Sequence, residues 1–133
     1  MVLAITLTTT AALSQGPPSV LVDGQPLRTA QPVLNREGVL LLPMRDVFEA
    51  LHAQVRWYAC ERKIEARRGD DLLELWVGTP VANVNHNPLQ LQVPPLLIGG
   101  VTYVPLRIPA EAFGGSVRWD AARRTALISS PAP

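Results

Sequence analysis

Residues 101–120 read VTYVPLRIPAEAFGGSVRWD, and residues 39–58 read VLLLPMRDVFEALHAQVRWY. Each stretch opens on an apolar run, turns at a proline, continues with apolar residues at helical spacing, and ends in Val-Arg-Trp. They lie 62 residues apart. Extended outward without a gap, Val20–Ala66 set against Ala82–Ile128 gives 16 identities in 47 positions. Chance at average residue usage gives about three. The shared residues carry shape: Pro26-Leu27 and Pro88-Leu89, Gly38-Val39 and Gly100-Val101, Pro43 and Pro105, Arg45 and Arg107, Glu49-Ala50 and Glu111-Ala112, Val55-Arg56-Trp57 and Val117-Arg118-Trp119.

Each copy therefore predicts the same elements. A short strand turns at Asp23-Gly24 or Asn85-His86 into a second short strand. A hairpin follows, tipped by Asn35-Arg36-Glu37-Gly38 or Gly99-Gly100, with return strands Val39–Leu42 and Val101–Val104. Pro43 and Pro105 suit a first helical position, where a missing N–H costs nothing. Met44, Val47, Phe48 and Leu51 then form one apolar helical face, matched by Leu106, Ala110 and Phe113, with Pro109 interrupting the second helix or setting its start. Gly114-Gly115 ends that helix, and His52-Ala53 stands in their place in the first. Closing strands are expected around Val55–Tyr58, Lys63–Arg67, Val117–Trp119 and Thr125–Ser129. Leu72–Val77 is an additional strand with no counterpart in the other copy.

Thirteen Pro and nine Gly against two Phe and two Tyr, in 133 residues, point to many short elements of an α+β fold. The expected architecture is an antiparallel β-sheet with two short helices, built from tandem ββ-α-ββ-like repeats, 20–68 and 82–129. One copy is too small to bury a face alone, so the two share one core in a single domain over 19–129. Residues 1–18 are expected to be the remnant of a signal peptide and a Pro-rich spacer. Leu3–Leu13 is small and apolar, and Ala12-Leu13-Ser14 suits signal peptidase, although no basic residue follows Met1. Residues 130–133 read as a disordered tail. No stretch approaches ~20 apolar residues, so no transmembrane segment is expected.

The net charge of +1 provides no broad field for a polyanion, which argues against nucleic acid. Cys60 is the only cysteine, which excludes an internal disulfide and any cysteine-built zinc site; it is expected to be a small, half-buried hydrophobe.

The pattern V-P-L-R-x-x-A-E-A-F-G-G-x-V-x-W-D over Val104–Asp120, with a degenerate version in Leu42–Tyr58, resembles the copper amine oxidase N-terminal-like, or stalk, domain. The resemblance covers about residues 20 to 128. It implies helices packed on an antiparallel sheet, a non-catalytic role, and a secreted, periplasmic or cell-envelope location.

Copper oxidase chemistry needs several converging imidazoles, and only His52 and His86 are present. Tyr58 and Tyr103 lack the Asn-Tyr-Asp context of an amine oxidase cofactor precursor. Asp70-Asp71 lies in a polar turn, no serine sits in a Gly-x-Ser-x-Gly elbow, and there is no phosphate loop. No cofactor, metal or enzymatic activity is expected, with a hydrolase of unrecognised site as the remote alternative. The pairs Arg45–Glu49 and Arg107–Glu111, at i,i+4, read as structural, with a partly buried arginine tying helix to sheet. Trp57 and Trp119 read as core or helix-packing residues, along with Pro43 and Pro105 as architecture. What is left for partner binding is Trp76 on the unshared strand and the basic turns Arg67-Arg68 and Arg123-Arg124. The function this implies is a binding or scaffolding module for a protein or cell-wall polysaccharide. The alternative is a homodimer paired through sheet edges.

Overall fold

A computed structural model of the chain describes residues 18–130 apart from Ala30. The signal peptide and most of the spacer expected at the N-terminus, and the last three residues of the tail, lie outside the described residues. In chain order the elements are β1 (Ser19–Val22), β2 (Gln25–Pro26), β3 (Leu34–Arg36), β4 (Val39–Pro43), α1 (Met44–Ala50), β5 (Gln54–Tyr58), β6 (Lys63–Arg68) and β7 (Asp71–Trp76). They continue as β8 (Val81–Val84), β9 (Asn87–Gln90), β10 (Leu96–Ile98), β11 (Val101–Pro105), α2 (Arg107–Ala112), β12 (Ser116–Asp120) and β13 (Thr125–Ser129). Apart from β7, every strand of the first half has a counterpart that begins 62 residues later.

The strands form three small sheets, ordered β12-β13-β1-β2, β10-β11-β4-β3 and β5-β6-β7-β8-β9. The middle sheet joins the halves through antiparallel β4 and β11, with Leu42 opposite Val104, Pro43 opposite Tyr103 and Leu41 opposite Pro105. Leu42 and Val104 are themselves 62 residues apart, so the pairing is self-complementary, as in a twofold interface. The outer sheets differ by one strand. In the five-stranded sheet β7 runs antiparallel to both β6 and β8. In the four-stranded sheet β13 and β1 pair directly and in parallel, Ser19 opposite Thr125 through Val22 opposite Ile128. The unshared strand is thus an insertion at the centre of one sheet, and the only parallel pairing among the described residues joins their two ends.

Local chemistry places the elements. Asp23-Gly24 and Asn85-His86 both close two-residue hairpins with positive φ at both positions, 51° and 81° in the first and 51° and 70° in the second. The two prolines differ from expectation. Pro43 and Pro105 end strands β4 and β11 instead of starting helices, because φ −56° with ψ 130° at Pro43 still extends the chain. Pro109 is the third residue of α2, inside the first turn whose N–H groups lack intrahelical acceptors, so it forfeits no hydrogen bond. His52 (φ 60°) and Gly114 (φ 86°) end the helices in the left-handed region, and the N–H groups of Ala53 and Gly115 donate back to the carbonyls of Phe48 (2.9 Å) and Ala110 (2.8 Å).

One main core draws on both halves, with Leu42, Val47, Phe48, Leu51, Ile64, Leu73, Leu75, Val104, Ala110, Phe113 and Ile128 all buried. The rings of Phe48 and Phe113 meet edge to face at 6.4 Å between the helices. A smaller cluster of Leu41, Val93 and Tyr103 is closed by the Tyr103 hydroxyl, which donates to the Pro32 carbonyl at 3.1 Å. Ser130, expected to open a disordered tail, is held in place: its N–H donates to the Asp23 carboxylate at 2.9 Å, and its hydroxyl donates to the other oxygen. These two bonds pull the Asp23 carboxyl below its ordinary value.

Candidate functional site

The hairpin β12–β13 forms one end of its sheet and leaves β12 as an edge strand. Alternation along β12 puts Val117 and Trp119 on the face toward the core and Ser116, Arg118 and Asp120 on the face toward solvent. Val117 reaches the core, but the core ends before Trp119, whose side chain stays 49 % exposed. Beneath it opens a groove of about 430 Å³. Its floor and walls come from Leu40, Leu91, Val93, Ile108, Val117 and Trp119, and Asn35, Gln90, Gln92 and Arg107 stand among the polar groups that line it.

Backbone and side-chain bonds hold that groove open. Leu106 N–H donates to the Leu40 carbonyl at 2.9 Å and fixes the start of α2 against β4. Leu91 N–H donates to the Pro80 carbonyl at 2.7 Å, and the Gln92 amide donates to the Glu37 carbonyl at 3.3 Å, which ties residues 90–93 to the β3–β4 turn. Within that turn Gly38 N–H donates to the Asn35 side chain at 3.1 Å. Asn35 and Gln92 of the polar rim are thus occupied in shaping the opening, and the Trp119 ring stands exposed above it.

The placement of several residues corrects the sequence-based expectations. Trp57, like Trp119, is not a core residue: it is 40 % exposed at the rim of the inner face of β5, the edge strand of the five-stranded sheet. Strand periodicity assigns a face but not where along that face the core stops. Arg45 and Arg107 are exposed and do not tie helix to sheet. Arg107 pairs with Glu111 at 3.3 Å on the surface of α2, whereas no such contact joins Arg45 to Glu49. Cys60 is exposed in the β5–β6 turn instead of half-buried.

Trp76 lies half-buried on the solvent face of the five-stranded sheet, where the register aligns Tyr58, Lys63 and Trp76. The Lys63 ammonium sits 5.6 Å from the Tyr58 ring centre, 5.7 Å from that of Trp76 and 2.7 Å from a Glu74 oxygen. That hydrogen bond, with the nearby carboxylates, raises the Lys63 pKa above its ordinary 10.5 against the opposing pull of desolvation. Arg67 lies 3.6 Å from Glu65 on the same sheet, and Arg68 ends β6. Arg123 and Arg124 lie on the β12–β13 turn, with Arg123 3.8 Å from Asp120. The residues singled out for a partner are therefore split between two sheets, and none of them lines the groove beneath Trp119. The sequence signal for that groove is Val117-Arg118-Trp119, which lies on the outer strand of the hairpin that closes the repeat.

Among the described residues no group of three or more His, Cys, Asp or Glu side chains is placed to hold a metal ion. His52 and His86 sit in separate turns. No helix among the described residues is long and apolar enough to cross a membrane.

The model of the copper amine oxidase N-terminal domain family matches residues 21–128, which is most of the chain and nearly all of the α+β fold described above. The chain belongs to the copper amine oxidase N-terminal domain family. A curated relative, a Brevibacillus choshinensis protein described as "Protease inhibitor", is 32 % identical over 102 residues, covering 74 % of this chain and 30 % of the relative. The chain thus spans about a third of that relative's length. The family name refers to copper, and the two histidines of this amine oxidase N-terminal domain lie in separate turns.

Proposed function

We propose that this copper amine oxidase N-terminal domain is a non-catalytic binding module of a secreted, periplasmic or cell-envelope setting, and that it holds a protein partner at the Trp119 groove. One observation carries this reading: a large aromatic ring stands half in solvent over a preformed apolar groove, on an edge strand. Exposed tryptophans above well-packed pockets are the residues that dominate protein interfaces. A protein partner is favoured over a cell-wall glycan because the Brevibacillus relative is named for inhibition of a protease, which is itself a protein. A protease is accordingly among the first partners to test.

The decisive experiment is a paired pull-down from envelope extract with the wild-type chain and Trp119→Ala, alongside Trp57→Ala. A protein retained by the wild type and by Trp57→Ala but lost by Trp119→Ala is the expected result. Equal retention by all three would place the contact elsewhere, and retention of cell-wall polymer alone would replace the protein partner with a glycan.

A further inference from the structure

The two edge strands β5 and β12 share Val-Arg-Trp, yet their arginines face different surroundings. Arg56 stands opposite Glu65, with Glu74 next in the same cross-strand row. Arg118 stands opposite Leu127, with Leu21 beyond it. Among the described residues no carboxylate lies within ion-pair distance of Arg118, and Asp120, two residues along the same face, is engaged by Arg123 through its N–H at 3.2 Å and its guanidinium at 3.8 Å. The cation on β12, like Arg56 on β5, thus has no ion-pair partner among the described residues, but its cross-strand row holds Leu127 and Leu21 and no carboxylate. It lies beside an open sheet edge, with an apolar groove on the opposite face of the same strand. An edge strand directs the N–H and C=O groups of alternate residues away from its sheet, where an incoming strand can pair with them.

We infer that β12 receives an extended peptide strand of its protein partner, carrying an acidic residue opposite Arg118 and apolar residues on either side of it. Added strands alternate their side chains between the two sheet faces, so the acidic residue meets Arg118 on the solvent face. Its apolar neighbours turn into the groove against Trp119, Val117 and Ile108. Main-chain pairing supplies affinity, the groove selects the apolar positions, and Arg118 selects the charge. β5 offers the same edge and an exposed Trp57, but the row beside Arg56 carries Glu65 and Glu74, each already held by Lys63 or Arg67, where the row beside Arg118 carries no carboxylate. The two copies thus differ in whether carboxylates share the row of the edge arginine. This inference rests on the binding-module reading above.

The test uses the full chain labelled with ¹⁵N and three nine-residue peptides of alternating Thr and Phe. The first has a central Glu, the second a central Lys, and the third is the Glu peptide with its backbone amides methylated on the pairing edge. The expected result is that the Glu peptide shifts the amides of residues 116–120 and the Trp119 indole N–H. The Lys peptide should bind about threefold to fivefold more weakly, and the methylated peptide should lose binding. Arg118→Glu should invert the Glu-over-Lys preference, and Trp119→Ala should weaken the Glu peptide by about thirtyfold. Both substitutions lie on the surface, and the wild-type-like spectrum of each variant outside β12 verifies its fold. A preference unchanged by Arg118→Glu, undiminished binding of the methylated peptide, or shifts centred on β5 would overturn the inference. So would silence of all three peptides at millimolar concentration. If a soluble cell-wall oligosaccharide or an extract protein shifts Trp119 while no peptide does, strand addition falls and the binding-module reading stands. Silence of Trp119 toward peptides, oligosaccharide and extract alike would sink both.

Discussion

At Gly115 the backbone leaving α2 passes so close to β13 that a Cβ would overlap the Ser129 carbonyl oxygen and stand 3.0 Å from that of Ala110. Both neighbours are backbone, which cannot swing aside. The equivalent corner in the first half carries Ala53, whose N–H makes the matching bond to Phe48. Gly115→Ala is therefore expected to lose about 1–3 kcal/mol by overpacking. Ala53→Gly should lose only about 0.5–1 kcal/mol through chain entropy, and urea unfolding separates the two. Lys63, the chain's one lysine, makes a second residue-scale prediction. Its pKa is raised in the folded state, chiefly by the hydrogen bond to Glu74. The resulting stability is complete below the ordinary value of 10.5 and is lost as pH rises through the folded value. Lys63→Met should thus be less stable than wild type by about 1 kcal/mol near neutrality, with the gap closing above pH 10.5. A gap constant across that range would mean that Lys63 contributes only its aliphatic stem.

At the scale of elements, the edge strands and the β3–β4 and β10–β11 hairpins divide stability from recognition. Trp57 and Trp119 keep 40 % and 49 % of their surface in water, so each Trp→Ala change should cost about 1.5–3 kcal/mol, less than for a fully buried tryptophan. Tyr103, 3 % exposed, should lose about 0.5–1.5 kcal/mol as Tyr103→Phe. Only that variant should speed amide exchange in the segment around Pro32, which the hydroxyl holds across 71 residues of sequence. Most of this element order is legible from the 62-residue spacing, because turn residues such as Asp23-Gly24 and Gly99-Gly100, and the helical spacing of Met44, Val47 and Phe48, are local signals. The exposure of the tryptophans is not local. Val55 and Trp57 alternate identically, and which of them the core reaches depends on where α1 and the middle sheet end. Reading repetition as architecture therefore hid the groove, since a repeated residue on an outer hairpin strand can be both repeated and exposed. The parallel pairing of β1 with β13 was equally out of reach, because it joins residues more than a hundred positions apart with no turn to announce it.

The whole molecule is organised around the Leu42–Val104 pair, and its packing is complementary without being identical across that point. Phe48 in α1 and Leu51 just past it occupy the positions that Ala110 in α2 and Phe113 just past it hold in the second half, so the large ring sits inside one helix and at the C-terminal cap of the other. The two rings then meet edge to face, where two phenylalanines at the same position would compete for one space. The buried cluster takes residues from β1, α1, β6, β7, β8, α2 and β13 together, and β1–β13 closes the chain's ends onto each other. Neither half retains a core of its own under this arrangement, so unfolding should be a single cooperative transition. Phe113→Ala, which removes a ring only 1 % exposed, should cost about 3–5 kcal/mol. Because the lost contact is with Phe48, amide protection should fall by the same factor in β6 and β7 as in β12 and β13. Calorimetry together with native-state hydrogen exchange reads both quantities. Two resolved transitions, or a loss of protection confined to residues beyond 82, would show that the halves fold separately.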